Sequence, residues 1–248
     1  VVVYREHAVP GALRAVVARG WTLEAAPPGV RGWPVLPDGH VDLVATAGHR
    51  VMLAGPATRT HLADVPARGG VAGARLRPGA THALFGLPAA ALRDQAPDLA
   101  DIWPAARPSW DDGALGGLVD PLDRLRGLCA LLRPRAAAAP DRLVEHAVAL
   151  IVAGDPSVTS VAHTVGLTPR QLLRRFDLAI GYGPKRLQRI VRLQRLLAVR
   201  RRHPQVSLAS TAADAGYADQ AHLTRELVSL TTLTPTALLT SRMVDIGD

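Results

Sequence analysis

Val158-Thr-Ser-Val-Ala-His-Thr-Val-Gly166-Leu-Thr-Pro169-Arg-Gln-Leu-Leu-Arg-Arg-Phe176 carries a plan that decides the C-terminal fold. A short helix sets Val161, Ala162 and Val165 on one side, and Gly166 ends it at the left-handed position a tight turn needs. Leu167 packs into the turn. Thr168 suits an N-cap and Pro169 the first helical position, so a second helix is predicted to about residue 177. The plan recurs at Leu208-Ala-Ser-Thr-Ala-Ala-Asp-Ala-Gly216-Tyr-Ala-Asp219-Gln-Ala-His-Leu-Thr-Arg-Glu-Leu227. There Ala212 and Ala215 match Ala162 and Val165, Gly216 matches Gly166, and Leu223 and Leu227 match Leu172 and Phe176. Asp219 takes the capping place of Thr168 after a turn one residue longer. Both copies close alike, with Gly181-Tyr-Gly-Pro184 and Thr232-Leu-Thr-Pro235, each proline opening a further helix. A single helix–turn–helix match is a weak signal; two in tandem at agreeing spacings are a strong one.

Side-chain direction selects the candidate readers. At about 100° per residue, Arg170 and Arg174 point away from Leu172 and Phe176, with Gln171 and Leu173 on the flanks. In the second copy Ala221 and Arg225 lie opposite Leu223 and Leu227, with His222 beside them and Gln220 at the helix start. Arginine takes the O6/N7 edge of guanine bidentately, glutamine reads adenine, and alanine admits a thymine methyl. These residues are therefore the expected base readers on double-stranded DNA; for any one arginine alone, a solvated face is the plain alternative. A connecting helix is predicted over residues 184–202. Leu187, Ile190, Val191, Leu197 and Ala198 form its apolar face, and Lys185, Arg189, Arg192 and Arg195 another. Such a helix can hold two reading units apart; a separation of roughly 34 Å would place them in successive major grooves. Lys185 and Arg186 sit at its N-terminus, where free N–H groups and the dipole favour a phosphate. With Thr168, Arg189, Arg192 and Thr224 they make up the expected phosphate contacts. Arg200, Arg201 and Arg202 stay open between backbone contact and solvation.

Charge agrees with a polyanionic partner. The formal charge is +8; residues 1–155 contribute +1 and residues 156–248 contribute +7. A basic region beside a neutral one favours nucleic acid over membrane. Hydrophobic residues make up 48% of the 248-residue chain, enough for a real core, and no apolar run reaches membrane-spanning length. The opening Val1-Val-Val-Tyr-Arg-Glu6 has no secretory pattern, and Cys129 is the only cysteine, so a cytoplasmic protein without disulfides or a thiolate metal cluster is expected. Cys129 falls on an apolar helical face with Leu125, Leu128 and Leu132, the setting of a buried, inert thiol. His40, His49, His61 and His82 with Asp42 lack metal-ligand spacing, and the glycines fit no phosphate or dinucleotide fingerprint. No metal, cofactor or catalytic residue is expected.

The first half reads differently. Residues 41–46 and 50–54 flank Ala47-Gly-His49 as a hairpin, after a turn at Pro37-Asp-Gly39. Residues 71–77 form another strand candidate, and Pro88 opens a short helix over 89–94. Helices are predicted at 118–133 and 140–153, joined by an alanine-rich linker at 134–139. Trp21, Trp33, Trp103 and Trp110 all lie in this half, as core packing or as a pocket lining. Trp21, Trp33, His40 and Asp42 are the candidate ligand residues. The expected fold is α+β. A β-rich sensing or dimerisation domain (1–104) and a helical linker region (105–139) precede an all-α domain with two helix–turn–helix units (140–248).

The duplicated unit resembles the AraC/XylS family of bacterial transcription activators over about residues 140–240. The carriers are Ala162 with Gly166–Phe176, Gly181-Tyr-Gly-Pro184, and Ala212 with Gly216–Leu227. The resemblance implies one chain with two reading units joined by a long helix, and an N-terminal domain that senses a small molecule or dimerises. It also implies double-stranded DNA and RNA polymerase as partners, with a small-molecule effector and a homodimer as further expectations. Three positions depart from the family. Leu173 stands where a polar residue is usual, Leu227 where Phe is, and Thr232 where Gly is. Leu36-Pro-Asp-Gly-His-Val-Asp-Leu-Val44, Leu53-Ala-Gly-Pro56, Gly73-Ala-Arg-Leu-Arg-Pro-Gly79 and Gly86-Leu-Pro88 through Trp103 resemble the N-terminal domain of some actinobacterial AraC-like proteins. Two rivals stand beside this reading. One is a hydrolase or DNA-repair enzyme with a DNA-binding tail, which as a methyltransferase would need a reactive cysteine. The other is a sensor whose DNA-binding half has decayed.

Overall fold

A computed structural model describes residues 2–25, 28–47, 50–104, 115, 118–154 and 156–240. Seven strands and ten α-helices are formed among them. The strands are β1 (Val2–His7), β2 (Val17–Ala25), β3 (Val30–Val35), β4 (Asp42–Thr46), β5 (Val51–Ala54), β6 (His61–Val65) and β7 (Val71–Leu76). The helices of the first half are α1 (Ala80–Phe85), α2 (Leu99–Ile102) and α3 (Pro121–Leu132). Those of the second half are α4 (Arg142–Ala153), α5 (Val158–Thr164), α6 (Pro169–Ala179), α7 (Pro184–Arg202), α8 (Leu208–Asp214), α9 (Gln220–Thr231) and α10 (Pro235–Thr240). The architecture is α+β, a β-rich half followed by a helical one. Among the described residues no helix is long and apolar enough to cross a membrane.

Five antiparallel strands form one sheet in the order β1-β2-β7-β4-β5, and β3 pairs with β6. Because strand side chains alternate, the large sheet has two different faces. Leu43, Ala45, Val51, Leu53, Ala72, Ala74 and Leu76 pack against helices; Leu125, Leu128 and Leu132 of α3 complete that core. The helical region expected between the domains thus contributes to the first core. Cys129 lies in it, buried, and burial pushes its thiol pKa up. Trp103 also packs on this core, edge-on to Phe85 at 6.0 Å and under the guanidinium of Arg135 at 4.0 Å. Trp110, Gly48 and His49 lie outside the described residues.

The other face carries Tyr4, Trp21, Leu23, Val44, Met52, Ala54 and Val71 toward the β3–β6 pair, in a small apolar cluster with Val65 and Trp33. Arg75 and Asp42, directly opposite across β7 and β4, sit on this face too.

Local chemistry moves several expected boundaries. Residues 89–94 do not form an α-helix: a 3₁₀ turn spans Ala89–Leu92, and Pro88 precedes it in extended conformation. Asp94 then turns to φ 56°, which brings its carboxylate to the N–H and hydroxyl of Thr58 at 2.6 and 2.7 Å. The helices predicted from 118 and 140 begin later, where Asp120 and Asp141 accept from first-turn N–H groups.

The two halves pack together through helix ends. Gly79 N–H donates to the Ala179 carbonyl at the end of α6, and Thr60 N–H donates to the Leu230 carbonyl near the end of α9. Arg93 donates to the Gly181 carbonyl at 2.6 Å, and Gln194 of α7 to the Pro37 carbonyl at 2.6 Å.

Candidate nucleic-acid interface

The two predicted units are built alike in their caps and turns. Ser157 and Ser207 cap α5 and α8 by accepting from Ser160 and Ser210 N–H. Gly166 and Gly216 take φ of 71° and 92°. The next residue's N–H then returns to the first helix, Leu167 to Ala162 at 2.8 Å and Tyr217 to Ala212 at 2.9 Å. Thr168 and Gln171 form a reciprocal capping box at the start of α6; Asp219 accepts from His222 N–H at the start of α9. Val161, Ala162, Leu172 and Phe176 fill the first unit, and Ala212, Ala215, Leu223 and Leu227 the second, within one continuous core.

Against that core the candidate readers separate into two groups. Arg170 and Arg174 on α6, and Gln220, Ala221 and Arg225 on α9, are exposed. Among the described residues, neither Arg170, Arg174 nor Arg225 enters an ion pair. Gln171 is exposed, but its amide oxygen is held by the backbone N–H and hydroxyl of Thr168 at 2.8 and 3.0 Å. His222 is half-buried, edge-on to Tyr217 at 5.4 Å, with its Nδ1 accepting from Ala218 N–H. Leu173 stands 46% exposed between Arg170 and Arg174, an apolar side chain on a reading face.

The expected phosphate contacts divide in the same way. Lys185 is exposed and Arg186 half-buried at the start of α7. Thr168 and Thr224 are tied to the local backbone or cap. Arg189 and Arg192 turn inward instead of outward. Glu226 of α9 is buried, and Arg192 grips both its oxygens at 2.6 and 3.1 Å, while Arg189 meets it at 3.1 Å. Arg189 also donates to Ser229 at 2.9 Å. Arg195 likewise donates to the Ile151 and Val152 carbonyls at the end of α4. The buried stripe of α7 correspondingly includes Leu193 and Leu196, and leaves Val191 and Ala198 at its margins. Glu226 was not picked out from the sequence; only its position on the flank of α9 nearest α7 marks it.

The four candidate ligand residues, Trp21, Trp33, His40 and Asp42, all line one cavity of about 760 Å³ between the large sheet and β3–β6. Tyr4, stacked on Trp21 at 6.1 Å, and Asp38 and Arg75 join them. Arg75 donates to Asp38 at 2.6 Å and to both oxygens of Asp42 at 3.3 Å. Burial would raise the pKa of Asp38, but Arg75 and His40 hold it below the usual range. Burial lowers the pKa of His40, partly offset by Asp38, and so favours the neutral ring. Among the described residues no three His, Cys, Asp or Glu side chains gather as metal ligands.

Residues 5–98 match a family model described as a domain of unknown function (DUF6597), and residues 161–241 match one described as a helix-turn-helix domain. No curated protein and no solved structure matches the chain. The second match spans both structural units, so the chain carries a helix-turn-helix domain behind a β-rich domain, an arrangement consistent with an AraC/XylS regulator.

Proposed function

We propose that the chain is a sequence-specific, double-stranded DNA-binding transcriptional regulator, modulated through its N-terminal domain and not itself an enzyme. The observation that carries this reading is the pair of recognition helices, each presenting uncommitted arginine on its outward face. Arg170 and Arg174 read bases from α6; Gln220, Ala221 and Arg225 read from α9, with Gln171 and His222 supporting them. Lys185, Arg186, Thr168 and Thr224 face phosphates, which supply most of the affinity and its salt dependence. The 19 residues of α7 span roughly 28 Å and set the separation of the two units. Such regulation implies contact with RNA polymerase and accommodates a homodimer. The repair-enzyme alternative finds no support in Cys129, whose thiol is buried and shifted away from the thiolate.

Selection from a random duplex pool would yield the preferred site, on which variants can be compared with a scrambled duplex at fixed salt. Arg174→Ala and Arg225→Ala should each cost about 1–3 kcal/mol on the selected site and little on the scrambled one. Arg225→Ala should relax specificity more than Arg170→Ala, because Leu173 leaves the first unit one polar reader short. An equal loss on both duplexes would mean that α9 does not read bases, and a pool without enrichment would overturn the regulator reading.

A further inference from the structure

The cavity between the sheets is not closed by the N-terminal half alone. Gln194, Leu197 and Arg201 of α7, the helix that joins the two reading units, line it as well. Gln194 already bridges to the Pro37 carbonyl on the loop that carries Asp38 and His40. A molecule that fills this space touches both halves at once.

The lining has a definite chemistry. Tyr4, Trp21 and Trp33 give it flat aromatic surfaces, and the Trp21 indole lies across Gly73, where a side chain would otherwise stand. Beside them Asp38 and Asp42 share the single guanidinium of Arg75, which leaves one negative charge in excess. Glu6 is matched by Arg19, and Arg50 stands 3.9 Å from Asp98. Asp64 and Arg201 bring opposite charges to the rest of the lining. The indole N–H groups of Trp21 and Trp33 and Nδ1 of His40 are buried without hydrogen-bond partners among the described residues. Aromatic faces beside an uncompensated carboxylate attract a cation by its charge and by the ring quadrupoles together.

We propose that this cavity binds a small molecule with a flat apolar body and a protonated amine, and that the bound molecule, resting on α7, couples occupancy of the cavity to DNA binding. The proposal rests on the reading of the chain as a regulator modulated through its N-terminal domain, and it names the ligand class and the route. The amine faces the Asp38–Arg75–Asp42 group, the flat body lies among Tyr4, Trp21 and Trp33, and the far edge meets Gln194 and Leu197. Coupling is reciprocal, so DNA must change the affinity for the amine by the factor by which the amine changes the affinity for DNA.

Calorimetric titration of the full chain with 1-naphthylmethylamine, 1-naphthylmethanol and 1-naphthoate compares three heads on one flat body. The amine is expected to bind at least tenfold more tightly than the alcohol, and the acid most weakly. Asp42→Asn, which leaves Asp38 to hold Arg75, should bring the amine down to the affinity of the alcohol while the alcohol is unchanged. Trp33→Leu, checked for folding by circular dichroism, should weaken all three. The amine should shift DNA affinity at least fivefold, and Gln194→Ala should reduce that shift while the amine still binds. Equal binding of the three heads, tightest binding of the acid, or no binding at all overturns the ligand class. Binding that leaves DNA affinity unchanged overturns the coupling. DNA binding by the ligand-free chain is measured separately, so a failure of the regulator reading shows there and not in the titrations.

Discussion

Thr232 adopts φ 62° at the C-terminus of α9, in the left-handed region where a β-branched residue is costly. Gly181 holds the equivalent place after α6, at φ 94°. The two copies thus make the same turn, one with the residue that suits it and one without. Thr232 offers only a hydroxyl bond to the neighbouring Thr231 carbonyl, at 2.6 Å, in compensation. Removing Cβ should relieve about 1 kcal/mol of strain, reduced by the extra freedom glycine has in the unfolded chain. Thr232→Gly is therefore expected to raise the melting temperature by about 1–2 °C for a chain of this size. A melting temperature that stays level or falls would show that the neighbouring contacts, not the backbone, set the stability of that turn.

Helix α9 is held to α7 by charge as well as by packing. Burying Glu226 between Arg192 and Arg189 is tolerable only while both partners stay, and breaking such a pair costs about 3–5 kcal/mol. Arg192→Ala should fall near the low end, since Arg189 remains beside Glu226, and should lower the melting temperature clearly. A pure phosphate contact would behave otherwise: it would leave melting unchanged and reduce the salt slope of DNA binding by about one. The two measurements on one variant decide between the roles. This pair also marks the limit of what spacing alone can say. Helical periodicity sets Arg189 and Arg192 opposite Leu187, Ile190 and Val191, but the buried stripe reaches round to their side through Leu193 and Leu196, and the acidic partner comes from an element 34 or more residues later. The units themselves were legible because their signals are local: Gly166 and Gly216, the caps at Thr168 and Asp219, and apolar residues four apart. Strands β4, β5 and β7 were legible from apolar runs between turns. Strand β3 was hidden by Gly32 and Pro34, and β6 by its exposed His61, Leu62 and Asp64, which erase the alternation a half-buried strand shows. Of the cavity, the tryptophans, His40 and Asp42 could be named, whereas Tyr4, Asp38 and Arg75 join them only once β1, β7 and β4 are in register.

At the scale of the whole molecule, the N-terminal half supplies the missing donors at the ends of both recognition helices. The last carbonyls of a helix have no partner within it; here Gly79 N–H reaches Ala179 and Thr60 N–H reaches Leu230. The proposed readers Arg170, Gln220 and Ala221 lie near the opposite ends of the same helices, and Arg174 and Arg225 near their middles, so docking and the proposed DNA contact use different surfaces. Gly181 is a close approach in this junction. A Cβ there would stand 2.6 Å from Pro56 Cγ and 2.9 Å from the Ala89 carbonyl oxygen, both in the N-terminal half. Gly166, at φ 71°, has the same backbone requirement with no neighbouring atom within 4 Å. Alanine at either position should cost about 1–2 kcal/mol for the left-handed backbone. Only Gly181→Ala must also push the two halves apart, an overpacking cost of about 1–3 kcal/mol more. The difference between the two variants therefore measures the junction with backbone strain cancelled. Calorimetry should show one unfolding transition for the unaltered chain and for Gly166→Ala, and a lower, split transition for Gly181→Ala as the halves uncouple. Limited proteolysis should likewise cut Gly181→Ala faster than Gly166→Ala. If the two variants lose equal stability and both unfold in one step, the contact at Pro56 and Ala89 yields freely. The N-terminal half would then be no rigid brace for the reading heads.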